Sequence, residues 1–244
     1  MDQYFAKDYT GGAFELFGTA HLAFIAFVVF CLVVLLPRLR GKDERYLRRF
    51  RITYTVIMVV NELAWHIWKA WIGEWSVQTM LPLHMCSVFV ILNSIMLLTR
   101  NYRIYEFSYF LGIGGAMQAV LTPDAGIYGL PHFRAWQTLI AHSMIMSAAI
   151  YMTVVEGYRP TWRSLGRVFL WANVYMLVIT GVNLLIGSNY MYTLRKPDTA
   201  SLIDVLGPWP LYLISLELVA LVVCVILYIP FAIKDWRARA TVAA

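Results

Sequence analysis

The chain has 244 residues, 60% of them hydrophobic and 14% charged, with a net charge of +6. A mean hydropathy of +0.64 excludes an ordinary soluble domain of this length. The cations sit at the ends of apolar runs rather than in a nucleic-acid motif, so the basic balance points to membrane orientation and anionic headgroups, with no nucleic-acid partner.

Crossing a hydrocarbon layer of ~30 Å takes roughly 20 mostly apolar residues. Seven apolar runs predict an all-α, polytopic membrane protein with one seven-helix domain: about 19–36, 50–71, 83–99, 104–121, 136–156, 165–186 and 209–232. The runs are continuous rather than alternating, which favours helices over a barrel. The first run follows an acidic segment (Asp2, Asp8 and Glu15 against Lys7) and ends in a basic cluster, the pattern of a stop-transfer span rather than a cleaved signal peptide. The second carries Glu62 and His66, four residues apart and hence on one helix face.

His84 opens the third run just after Pro82, a residue suited to a helix start, and Cys86 and Ser87 follow. Two residues turn a helix by about 200°, so His84 and Cys86 point apart, whereas Ser87 shares the His84 face. The fourth run closes with Gln118, and the loop beyond it holds Pro131-His132-Phe133-Arg134, where Arg134 suits an anionic ligand such as a lipid phosphate. His142 lies in the fifth run and Asn183 near the end of the sixth. The polar stretch from Ser188 to Asp204 offers Asn189, Tyr190, Tyr192, Arg195, Lys196 and Asp198 as a lid or headgroup contact. Glu217 lies about eight residues into the seventh run.

Orientation follows from loop cations. Arg38 to Arg51 carries seven, and the other loops on that side bring the total to 15 of the 20 Lys and Arg. The positive-inside rule places this side in the cytoplasm, with the N-terminus outside and the C-terminus inside. All five histidines then fall on the outer side. A faint duplication accompanies the pattern: Ala20-His21 matches Ala141-His142, Val60-Asn61 matches Val182-Asn183, and Pro82-Leu83 matches Pro210-Leu211, suggesting a parallel 3+1+3 repeat.

Ionisable groups inside a membrane cost roughly 2.5–3.5 kcal/mol each on insertion scales, and they usually face a cavity or one another. Glu62, His66, His84, His142, Gln118, Asn183 and Glu217 are the polar set that can converge on an outward pocket lined by Trp65, Trp68, Trp136 and Trp209. The alternative is that they tie helices together by hydrogen bonds. Glu62 and His66 have a spacing that two metal ligands can share, but there is no HExxH and no second pair, so neither metal nor cofactor is expected. Cys31, Cys86 and Cys224 lie in apolar runs without CxxC spacing, against a disulfide framework. For a Ser or Cys nucleophile, a base from another helix, His142, is the available partner.

LPLHMCS at 81–87, GGAMQAVLTPD at 114–124, PHFRAWQ at 131–137, NLLIGSNYMYTLRKPDTASLID at 183–204 and GPWPLY at 207–212 together resemble the YwaF-like family of bacterial seven-span membrane proteins. The resemblance covers nearly the whole chain and implies a multi-pass protein of the bacterial cytoplasmic membrane, without implying an activity. The chain is also distantly similar to a eukaryotic family of transmembrane lipid acyltransferases. That family places a cysteine directly before the span-3 histidine. Here Leu83 holds that place and Cys86 follows two residues after His84, so His84 carries over cleanly and His142 less so. A rhodopsin is excluded because the seventh run has no lysine for a retinal Schiff base.

Two functions follow as expectations. The first is a lipid acyl transferase or hydrolase with membrane lipids as partners, His84 or His142 as the base, and Gln118 or Asn183 stabilising an oxyanion. The second is a transporter or receptor for a small polar solute, proton-linked through Glu62 and Glu217.

Overall fold

Helix starts in this chain are set by cap residues that accept the first free backbone N–H groups. Asp43 Oδ1 accepts from the Tyr46 N–H at 2.9 Å and opens α3, Glu44–Trp71. Asn101 Oδ1 accepts from Arg103 and Ile104 at the head of α5, Tyr102–Phe107. His132 Nδ1 accepts from Arg134 and opens α7, Phe133–Val154, while Thr161 and Ser164 form a reciprocal capping box at α8, Trp162–Ile186. α4, Met85–Thr99, differs: its N-cap is His84, which provides no side-chain cap.

The chain is described here from a computed structural model covering residues 2–198 and 201–243. Thr199 and Ala200 of the predicted lid loop lie outside the described residues, as does the side chain of Arg239. Every regular element among the described residues is helical. A single turn, α1 (Asp2–Phe5), precedes α2 (Thr19–Phe30), which runs on through a π turn, Cys31–Leu35, and a tighter 3-10 turn, Leu36–Leu39. α5 continues through a π turn, Ser108–Gly112, into α6, Ile113–Leu121. α9 spans Leu211–Ala243.

Each predicted run coincides with one of these helices or chains of helices. α3 starts six residues earlier than the apolar run because Asp43 caps it, and α9 continues well past residue 232. Among the described residues, four helical stretches are long and apolar enough to cross a membrane: Thr19–Leu39, Phe133–Val154, Trp162–Ile186 and Leu211–Ala238. α3 has the length but is interrupted by Arg51, Glu62 and Lys69, and α4 is apolar but only 15 residues long.

α7 is the central helix: 61% of its apolar window is buried, against 17% in α2, 11% in α8 and 6% in α9. Its Ala135, Ala148 and Ala149 have no exposed surface, and such small residues let neighbouring backbones come close. α3 buries Leu47, Arg51, Thr55 and Met58, spaced by four, four and three residues, a single face directed inward. The outer helices α2, α8 and α9 expose large apolar side chains such as Val33, Leu177, Leu185 and Val222, which suit contact with lipid tails.

The bundle has two chemically distinct ends. At the basic end, Arg51 is 3% exposed and bonds Glu156 at 2.5 Å and Glu44 at 2.7 Å, with Arg100 paired to both carboxylates. Glu106, also buried, is held there by Arg167 and Ser164. Pairing is what makes buried charge tolerable. The opposite end, where His21, His66, His84 and His132 stand at helix termini, holds the candidate site.

Candidate functional site

His142 sits on the buried central helix and has a fixed tautomer. Its Nδ1 is 2.7 Å from the Thr138 carbonyl one turn earlier. A carbonyl only accepts, so Nδ1 carries the proton and Nε2 presents its lone pair. That Nε2 is 3.0 Å from Cys86 Sγ on α4. Cys86 is the second residue of α4, at a terminus whose leading N–H groups are uncapped by the His84 side chain. The N–H groups of Met85, Cys86 and Ser87 have no carbonyl partner one turn back, and they stand at the positive end of the helix dipole. A thiol, a base oriented by a third group, and free N–H donors beside the sulfur together form a dyad of the kind used in covalent acyl chemistry.

Two further groups lie within electrostatic reach of the sulfur, Glu62 and Arg134. Arg134 lies over the Trp65 ring at 3.9 Å and donates to Gln137 Oε1 at 2.6 Å and to the Asp124 carbonyl at 3.4 Å. The guanidinium thus stacks on an indole within electrostatic reach of the Asp124 and Glu62 carboxylates, and its planar fork suits an anion. Glu62 Oε1 is buried and meets no hydrogen-bond donor among the described residues; the nearest cationic group is His66 Nε2 at 3.8 Å. His66 in turn accepts from the Trp75 indole through Nδ1.

A strap from Ser188 to Arg195 covers the start of α4. Tyr190 is fully buried; its hydroxyl accepts from the Leu81 N–H and donates to the Val77 carbonyl. His84 sits between the rings of Tyr190 and Tyr192, and its Nδ1 lies 3.4 Å from the Met191 N–H. Asn183 secures the strap to α8 through both ends of its amide, donating to the Tyr190 carbonyl and Thr193 Oγ1 and accepting from Ser188 Oγ and the Tyr190 N–H. Asn189 braces the next turn through Leu194 and Arg195.

Of the residues singled out in the sequence, Cys86 and His142 are in contact, with Glu62 and Arg134 close by. Ser87 is the next residue on the same helix end, and His84 is the hinge between that end and the strap. Gln118 is exposed and bonds Thr122 on its own helix end, and Glu217 is held by Asn173 of α8 at 2.6 Å. Trp209 is exposed and ties its indole to the Thr193 carbonyl, whereas Trp68 is buried and donates to the Phe5 carbonyl. Among the described residues no group of three His, Cys, Asp or Glu has the arrangement to hold a metal ion. Thr138 and Gln137 escaped the sequence reading. The only trace of Thr138 is its position four residues before a helical histidine, where a carbonyl is always in reach of Nδ1.

Neither a search of curated proteins nor one of solved structures returns a match. The TMEM164 family model matches residues 16–228, a stretch that contains every residue of the site. The chain therefore belongs to the TMEM164 family of transmembrane proteins.

Proposed function

We propose that this protein is a membrane-embedded acyl transferase or acyl hydrolase with Cys86 as nucleophile and His142 as its base. The observation that carries the reading is the 3.0 Å approach of His142 Nε2 to Cys86 Sγ with Nδ1 fixed on the Thr138 carbonyl. The Cys86 proton passes to His142 Nε2 as sulfur attacks an ester carbonyl. The N–H groups of Cys86 and Ser87 receive the oxyanion, a role expected of helix N-terminal amides. The tetrahedral species collapses, the C–O bond breaks, and the leaving alcohol takes the proton from His142. A hydroxyl acceptor or water then attacks the thioester, its proton ending on the Cys86 sulfur.

The setting suits a lipid ester. The dyad lies on helices within an apolar bundle, and Arg134 stands beside it as an anion partner. In this reading the chain crosses the membrane seven times with the basic end in the cytoplasm and the histidine end outside, as a YwaF-like protein of a bacterial cytoplasmic membrane. Transport through paired glutamates draws less support, because Glu217 is engaged with Asn173 while Glu62 neighbours the dyad.

The test is ester turnover by the purified protein in phospholipid vesicles, followed by lipid mass analysis. Cys86→Ala and His142→Ala should each abolish changes in acyl composition while melting like the wild type. Full turnover in Cys86→Ala would remove the reading.

A further inference from the structure

Resting on that reading, we infer that Glu62 is the second base of the site: it binds the hydroxyl of the acyl acceptor and takes its proton as the thioester is resolved.

The register of two helices places it. Tyr54 donates to the Met144 carbonyl at 2.9 Å, and Asn61 Nδ2 donates to the Gln137 carbonyl at 3.2 Å. These contacts are seven residues apart on α3 and seven on α7, so the helices run antiparallel with Glu62 level with Trp136. The backbone of Glu62 is then about 9 Å farther toward the histidine end than that of His142, six residues at 1.5 Å each. Helical side chains lean toward their own N-terminus, so on antiparallel helices these two lean toward one another. His142 does so visibly, reaching back to Thr138. The carboxylate thus approaches the imidazole from the histidine end, with Arg134 beyond it at the head of α7, and both Glu62 and Arg134 are within electrostatic reach of the sulfur.

The chemistry of the group fits. A buried carboxylate oxygen without a donor is costly, and the protein's own residues do not relieve it. Glu74, by contrast, lies between Lys69 and Lys7, and Glu156 between Arg51 and Arg100. Glu62 has an imidazole at 3.8 Å and the Arg134 charge farther off, yet no donor bonds its Oε1, so a ligand hydroxyl is a fitting donor. Two bases then flank the sulfur with separate duties. His142 handles the thiol proton and the leaving alcohol during acylation. In the second half Glu62 takes the acceptor's proton as the O–C bond forms and the C–S bond breaks. The Cys86 thiolate departs, and the proton returns from Glu62 to sulfur.

The experiment uses p-nitrophenyl octanoate as acyl donor and n-butanol as acceptor with the full chain in micelles. Nitrophenolate release separates the acylation burst from steady turnover, and intact mass reads the octanoyl adduct on Cys86. Glu62→Gln should retain a burst of one equivalent, lose about 100-fold in steady-state rate, and accumulate the thioester. Glu62→Asp should recover part of the rate. A Glu62→Gln protein that turns over like the wild type, or that loses burst and turnover together, would overturn the inference. Absence of any Cys86 adduct in the wild type would instead overturn the dyad, and the role of Glu62 with it.

Discussion

His142 on α7 and Cys86 on α4, 56 positions apart in the chain, meet at 3.0 Å between ring nitrogen and sulfur. The contact joins the most buried helix of the bundle to the one start among α3, α4, α5, α7 and α8 that has no side-chain cap. Rigidity on one side and free backbone donors on the other are what covalent acyl chemistry requires.

The first prediction concerns thiol reactivity. Iodoacetamide should alkylate Cys86 faster than Cys31, which is a free, half-buried thiol without a base beside it. His142→Ala should slow Cys86 alkylation by at least about tenfold while leaving Cys31 unchanged. Peptide mapping of alkylated protein reads both sites, and equal rates at the two cysteines would count against activation by His142.

The strap gives a second prediction. Asn183→Ala removes four hydrogen bonds that anchor Ser188, Tyr190 and Thr193. Leaving their buried partners unpaired costs about 1–3 kcal/mol. Because Tyr190 and Met191 close over Leu81 and His84, alkylation of Cys86 should accelerate even as the melting temperature falls. A slower reaction would mean that the strap does not shield the sulfur.

How much of this was legible in the sequence follows from range. The helices were legible because an apolar run is a local signal, and caps such as Asp43 and Asn101 explain the small shifts at their ends. The pairing of Cys86 with His142 was legible only as an option, since the helical turn rules out His84 as a partner for Cys86 but cannot say which other helix faces it. Asn183 reads as a pocket residue because polar groups in apolar runs draw attention, yet its amide is filled by strap atoms 5 to 10 residues away. Thr138 was invisible, because its contribution is a backbone carbonyl that any residue provides.

A third prediction is a pH effect at the N-terminal segment. His132 is buried, donates through Nε2 to the Ala6 carbonyl at 3.1 Å and accepts the Arg134 N–H through Nδ1. Burial holds its pKa below the ordinary 6.5. The unfolded chain then binds the proton more readily, so this histidine favours the docked state above pH 6.5 and that contribution is lost as pH falls through 6.5 toward the depressed value. Hydrogen exchange of residues 2–9, and the fluorescence of Trp68 bonded to Phe5, should report loosening in that window. Exchange that is flat from pH 7.5 to about 5 would contradict it.

The basic end yields a fourth. Arg51→Ala leaves the largely covered Glu156 carboxylate without its closest cation and should destabilise the fold by roughly 3–5 kcal/mol in a detergent melt. Arg100 and Arg51 hold the Glu44 carboxyl down at about 2. Its folded pKa is depressed, so the stabilising contribution is present above the ordinary 4.5 and fades as pH falls toward 2. The acid limb of a melting-temperature profile should be flatter in Glu44→Gln than in the wild type.

The most direct test of the account is intact-protein mass spectrometry after brief exposure to an acyl ester and acid quench, comparing wild type with His142→Ala. A single acyl group is expected on Cys86 of the wild type, removed by hydroxylamine, with little or none on the variant. An unmodified Cys86 in the wild type, or an adduct that forms equally well without His142, would contradict it.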